Sequence, residues 1–189
     1  MESNSLRSII YSLVLMFVFS LIAEVLITRY YSIGYLNNSE DYEVAAGEVE
    51  KAVVTGHISG SVIKVEMEDG QKCNVQFAGA ITPFSGSGFN LAYEYIVKEL
   101  PIGTEVFLER AFNSLEFKDS KYKIRYVWTK EPCQKPGAKE IRNNLLDAKI
   151  VMEGIGYSIP CLDNSYYGNY IVELGQYASK NRIGLWNEK

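Results

Sequence analysis

Apolar residues run from Ile9 to Ile27 with breaks only at Tyr11, Ser12, Ser20 and Glu24, and nowhere else in the chain is the pattern so continuous. After a polar stretch over residues 32–48 the pattern changes. Val53, Val54 and Ile58 form one strand-like run. Ile63, Val65 and Met67 then alternate with Lys64, Glu66 and Glu68, which is the period of a strand with one buried face. Between the two runs lies Ser59-Gly60-Ser61. Asp69-Gly70 marks a hairpin turn, because glycine accepts a positive φ there. Cys73, Val75 and Phe77 make a third strand. Leu91, Tyr95, Ile96 and Leu100 recur at helical spacing, and Pro101 and Gly103 end that helix. Val106 and Leu108 alternate with Glu105, Glu109 and Arg110 in a fourth strand, and Tyr122 to Trp128 gives a fifth. Two helical stretches close the chain, around Ile141–Ile155 and Tyr170–Lys180.

The Ile9–Ile27 run predicts one transmembrane helix over about residues 8–29. At about 1.5 Å of rise per residue it covers most of a hydrocarbon core about 30 Å thick. Arg7 and Arg29 flank it, and Tyr30 and Tyr31 stand where an interfacial aromatic belt would lie. The run is longer than a signal-peptide core and no A-x-A-like site follows it, so the expectation is a retained anchor. Glu24 has two readings: an interfacial carboxylate close to Arg29, or a contact with another membrane helix. Arg7 and Arg29 balance each other, so charge gives no orientation. Asn37-Asn38-Ser39 is a glycosylation triplet of low specificity. The expected organisation is residues 1–31 as the membrane segment, 32–48 as a polar tether and 49–189 as one folded domain. A single-pass membrane location follows, with the lipid bilayer as one partner. The mitochondrial inner membrane, the secretory pathway and a bacterial plasma membrane are all compatible with it.

Charge and composition narrow the chemistry. A net charge of −4 argues against a nucleic-acid backbone as partner, which calls for a basic face. The three cysteines, Cys73, Cys133 and Cys161, are widely spaced and form no C-x-x-C pair, so neither a zinc site nor a disulfide framework is indicated. The single histidine, His57, rules out a histidine-rich metal site and reads as structural. No Gly-x-Ser-x-Gly elbow or P-loop is present.

Gln76-Phe77-Ala78-Gly79-Ala80-Ile81-Thr82-Pro83-Phe84 resembles the strand and turn that carry the active site of staphylococcal-nuclease-like (thermonuclease) domains. Further markers are Gly60, the Leu91–Leu100 helix with Gly103-Thr104-Glu105-Val106 after it, Asn144, Ile150-Val151, Gly154, Gly156, Ala178 and Gly184-Leu185-Trp186. The resemblance covers roughly Val49 to Trp186. It implies an α+β fold, a five-stranded OB-type barrel with three helices, here preceded by one transmembrane helix.

Family chemistry would need carboxylates for a calcium ion, a carboxylate for water and arginines for transition-state charge. The corresponding positions here are neutral: Ser59 and Ser61 in the Asp-Gly-Asp turn, Gln76 for the first arginine, Ile81 for the second metal ligand and Phe84 for the glutamate. The second arginine position falls on Ile124, or on Lys123 or Arg125 in another register. The resemblance thus implies no catalysis, no metal and no cofactor. The expected role is a non-catalytic accessory or structural subunit of a membrane complex, with no nucleic acid bound. Two alternatives stand beside it, an OB-barrel module for a peptide or oligonucleotide and a divergent calcium-dependent nuclease. Tyrosine is abundant, and tyrosine is enriched at interfaces. Glu24, Tyr30, Tyr31, Phe84, Tyr166 and Tyr167 are the candidate partner contacts. Ser85–Gly88 and Lys130–Lys139 are the candidate contact loops.

Overall fold

The computed structural model describes residues 47–111, 122–159 and 167–187. All of them belong to one compact unit, Glu43–Lys189. The Ile9–Ile27 run, Glu24, Tyr30, Tyr31, Cys161 and Tyr166 lie outside the described residues. No helix among the described residues is long and apolar enough to cross a membrane.

Five strands close into a barrel: β1 (Val49–Ser59), β2 (Val62–Met67), β3 (Lys72–Phe77), β5 (Glu105–Arg110) and β6 (Tyr122–Trp128), in the order β1-β2-β3-β6-β5 with β5 returning to β1. All neighbours are antiparallel except β3 and β6. Closure leaves none of these strands as a free edge, which removes the hazard of exposed backbone donors and acceptors. The arrangement is consistent with an OB-like fold.

Alternation puts one face of every strand inside. Ala52, Val54, Ile63, Val65, Met67, Cys73, Val75, Phe77, Val106, Leu108 and Val127 are buried there, and the register sets Val54 opposite Val65, Ile63 opposite Val75 and Leu108 opposite Val127. Asp69-Gly70 turns β2 into β3 with Gly70 at φ 83°, and the Asp69 carboxylate accepts the Gln71 N–H at 2.8 Å.

Four α-helices lie among the described residues: α1 (Gly86–Glu99), α2 (Ala138–Asn144), α3 (Leu146–Met152) and α4 (Gly168–Lys180). One continuous helix was expected over Ile141–Ile155. The structure breaks it at Leu145, which is extended (φ −84°, ψ 112°), fully buried and bridged to Trp128. The Thr129 N–H also donates to the Asn144 carbonyl at 2.8 Å, so the end of β6 captures the backbone that a continuous helix would need. The expected Ser85–Gly88 loop is instead the entry to α1. Gly88 packs so close to Pro83 and Leu185 that a Cβ would stand 2.9 Å from Pro83 Cγ. A two-residue ladder, β4 (Ala80–Ile81) with β7 (Tyr157–Ser158), and a 3-10 turn at Gly184–Asn187 complete the description. The helix expected around Tyr170–Lys180 is present as α4, which starts two residues earlier and buries Tyr170 in its first turn.

The His57 ring holds the end of α1. Its Nε2 lies 2.7 Å from the Leu100 carbonyl, one of the orphan acceptors of the last helical turn, and the ring meets Tyr93 edge-on at 6.3 Å.

Candidate functional site

The neutral positions singled out by the resemblance do come together. Ser59-Gly60-Ser61 turns β1 into β2 against the end of β3: the Phe77 N–H donates to the Ser61 carbonyl at 3.0 Å. Ser61 is buried, and its Oγ accepts the Thr82 hydroxyl at 3.3 Å. Its N–H in turn donates to Ser59 Oγ at 3.3 Å. Gly60 is required for this approach, since a Cβ would stand 2.5 Å from the Ala92 methyl and 2.9 Å from Thr82. Gln76 is half-buried and lies between Val62 and Ile124 in the ladder. Ile81 pairs with Tyr157, and Phe84 stands out at 80% exposed. Thr82-Pro83 therefore joins a hydroxyl-lined turn to an aromatic surface. Among the described residues no three His, Cys, Asp or Glu side chains gather as metal ligands.

Register fixes which way the β6 side chains face. Gln76 is opposite Ile124, on the outward face; Ile124 is 44% exposed. Lys123 and Arg125 are opposite Val75 and Phe77, on the inward face, so neither cation projects from the Gln76 side of the sheet. Both are committed to Glu50, which the register also turns inward, opposite Leu108. Arg125 is 3% exposed, and its Nε and Nη2 donate to Glu50 Oε2 at 2.9 and 2.8 Å; Lys123 Nζ donates to Oε1 at 3.4 Å. Breaking such a cluster exposes the cost of a desolvated guanidinium. Glu50→Ala is expected to lower stability by about 2 kcal/mol, less than for a fully buried pair because Glu50 reaches solvent. Glu50→Ala combined with Arg125→Met is expected to recover most of that loss, as read from urea midpoints of the single and double variants.

Tyr167 requires a correction. It was expected as an exposed contact, but it is fully buried, and its hydroxyl donates to Glu109 at 3.0–3.1 Å. Glu109 itself was expected on the solvent face of its strand. It is outward-facing, but the part of the outer face that carries Glu109, Tyr126 and Trp128 is covered, and the carboxylate has no exposure. Trp128 Nε1 donates to it at 2.8 Å, and the Gly47 N–H donates to Oε1. The ring of Tyr167 stands edge-on to Tyr126 and Trp128, at 5.0 and 5.5 Å. Burial pushes the Glu109 carboxyl above its ordinary range, against the pull of these donors.

A second buried carboxylate, Asp147 in the first turn of α3, was not anticipated. Its Oδ1 accepts the Gly79 N–H at 2.7 Å and its Oδ2 the Val127 N–H at 3.1 Å, joining the β3–β4 turn, β6 and α3. Gly79 has no space for a side chain, since a Cβ would stand 2.4 Å from Ile171 Cδ1. Burial pushes the Asp147 carboxyl up to about 7, against the lowering effect of the backbone donors. Neither acid reaches solvent, so both read as structural clamps.

Elsewhere, an open cleft of about 600 Å³ lies beside β1, β2 and β5. Glu50, Glu68, Asp69, Glu105 and Glu131 line it against Lys51 and Lys123. Lys51 is itself paired with Glu105 at 2.7 Å. Cys133 is exposed, and its Sγ–H donates to Glu140, which pushes the thiol up.

No protein-family model matches the chain, and no curated protein matches it in sequence.

Proposed function

We propose that residues 49–189 are a degenerate staphylococcal-nuclease-like domain, carried on the Ile9–Ile27 membrane anchor, that serves as a non-catalytic accessory subunit of a membrane complex. The observation that carries this reading is the surface around Thr82-Pro83. Ser61 is spent on Thr82, Gln76 and Ile124 face each other, and Ile81 and Phe84 supply apolar surface where hydrolysis would need charge. A phosphodiester transition state needs charge opposed to it in a desolvated site, and loss of one such donor already costs orders of magnitude in rate. The barrel order β1-β2-β3-β6-β5 and the close approach at Gly60 support the nuclease-like assignment. No metal or cofactor enters the proposal. The expected result is no calcium-dependent cleavage of single-stranded DNA or RNA above buffer, together with stoichiometric co-purification of other membrane subunits in mild detergent. Robust cleavage that tracks the protein through purification would return the chain to the nucleases, and a solitary monomer would remove the subunit reading.

The acidic cleft supports a second reading, an OB-barrel module for a peptide. Five carboxylates against two lysines favour a basic peptide and oppose an oligonucleotide. Binding of a labelled Lys- and Arg-rich peptide that weakens with added salt tests it.

A further inference from the structure

The neutral positions border a closed ring of apolar contacts. Ile81 pairs with Tyr157, and Tyr157 meets Trp186 edge-on at 5.4 Å. Leu185, next to Trp186, crowds Gly88, and Gly88 crowds Pro83, which leads back to Ile81 and out to Phe84. Leu91 lies one helical turn on from Gly88, on the same side of α1. Phe84 is 80% exposed, and Leu91, Tyr157 and Trp186 are also exposed. The segments that form the ring, residues 81–91, 154–159 and 183–187, contain no Asp, Glu, Lys or Arg. Exposed aromatic side chains carried on segments free of charge, with Glu153 and Arg182 at their margins, mark an interaction surface.

We infer that this patch seats on the lipid bilayer, at the level of the headgroups. The inference rests on the membrane-anchor reading. Residues 32–46 separate the predicted span from Gly47, and full extension carries Gly47 no further than about 58 Å from residue 31. The domain is thereby confined to a thin layer next to the membrane, where even a weak surface affinity is amplified by effective concentration. Tryptophan and tyrosine suit the headgroup level, with an apolar body and a polar tip. Trp186 offers an exposed indole and Tyr157 an exposed phenol in contact with it. Phe84 offers a ring with nothing to hydrate, the part that enters deepest. A nucleic-acid backbone would instead require cations, which these segments lack.

The chain has two tryptophans, which makes the test direct: Trp186 lies in the patch, and Trp128 is fully buried beneath Glu109. The full chain is reconstituted into phosphatidylcholine vesicles, washed with alkaline carbonate, and compared in ordinary lipid and in lipid brominated near the headgroup end of the acyl chains. The expected result is retention after the wash and about a twofold loss of Trp186 emission in brominated lipid, as for an indole at the interface. Trp186→Phe should abolish the quenching, since the remaining signal comes from the interior. Phe84→Glu should abolish most of it while leaving the near-UV signal of Trp128 intact, because Phe84 carries no packing load. Retention without quenching overturns the seating on lipid and leaves the anchor standing. Release by carbonate overturns the anchor and this inference together. Quenching that persists in Trp186→Phe also overturns it.

Discussion

Replacing Asp147 by alanine is expected to cost about 3–5 kcal/mol, enough to unfold a domain of ordinary stability at moderate urea. The carboxylate has no exposure, and each of its oxygens accepts one backbone N–H, from Gly79 and from Val127. Alanine leaves both donors buried with their acceptor removed. The joint they make holds the β3–β4 turn, β6 and α3 together, so the loss spreads through barrel and helices alike. Asparagine keeps one acceptor and turns an amide N–H toward the other donor. It should cost about 1–3 kcal/mol, one orphaned buried group. The proton linkage gives an independent signature. The folded-state value is about 7, above the ordinary aspartate value of 3.8, so between those limits the folded protein holds a proton that the unfolded chain has released. The Asp147 contribution is therefore greatest below about pH 4, declines as pH rises, and levels off above about pH 7. The span is on the order of 4 kcal/mol. Urea midpoints from pH 4 to pH 8 should fall for the native chain and fall markedly less for Asp147→Asn. Equal slopes would show that Asp147 is ionised throughout.

The barrel strands are legible because a two-residue period states both the element and its face. Ile63, Val65 and Met67 read as inward and are inward, and Asp69-Gly70 reads as a turn and is one. The joints are not legible, because each depends on a partner far away in sequence. Leu145 fits a helix by spacing, yet its pairing with Trp128 outweighs local propensity. Two-residue strands such as Ala80–Ile81 carry no period at all. Arg125 in an alternating strand suggests solvent until Glu50, on the opposite side of the sequence, is known to share its face.

The site has the same division. The neutral character of Ser59, Ser61, Gln76, Ile81 and Phe84 is a fact of sequence; the β2–β3 ladder sets Gln76 beside the Ser59–Ser61 turn, and the Thr82–Ser61 hydrogen bond brings the segment after Ile81 to it. That the neighbourhood continues into Tyr157, Leu185 and Trp186 depends on the return of the chain end across α1. A usable hint for Asp147 was available: it shares a helical face with Ile150 and Val151, an acid on an apolar stripe. For Glu109 the hint was weaker. Tyr126 and Trp128 share a face of the neighbouring strand, and two large aromatic rings side by side point to cover over that end of the face.

Glu109→Ala should be the second severe substitution, with an expected loss of about 3–5 kcal/mol. Three donors converge on this carboxylate: the Trp128 indole N–H, the Tyr167 hydroxyl and the Gly47 N–H. Two of them sit in fully buried side chains with no water in reach. Alanine strands those donors and opens a void beneath Tyr167, so its ring loses its edge-on seat against Tyr126 and Trp128. Glutamine fills the void but places an amide N–H among donors, and about 1–3 kcal/mol is the expected cost. Tyr167→Phe removes a single donor and should cost least, about 1 kcal/mol. The order Ala, Gln, Phe is thus a test of the clamp. The second readout is local, because Glu109 also holds Gly47, just ahead of β1. Glu109→Ala should make the backbone around Gly47 and Glu48 a preferred site for limited proteolysis at protease levels that leave the native chain whole. An unchanged cleavage pattern with a full loss of stability would mean that Glu109 supports the aromatic cluster and does not fasten the entry to the domain.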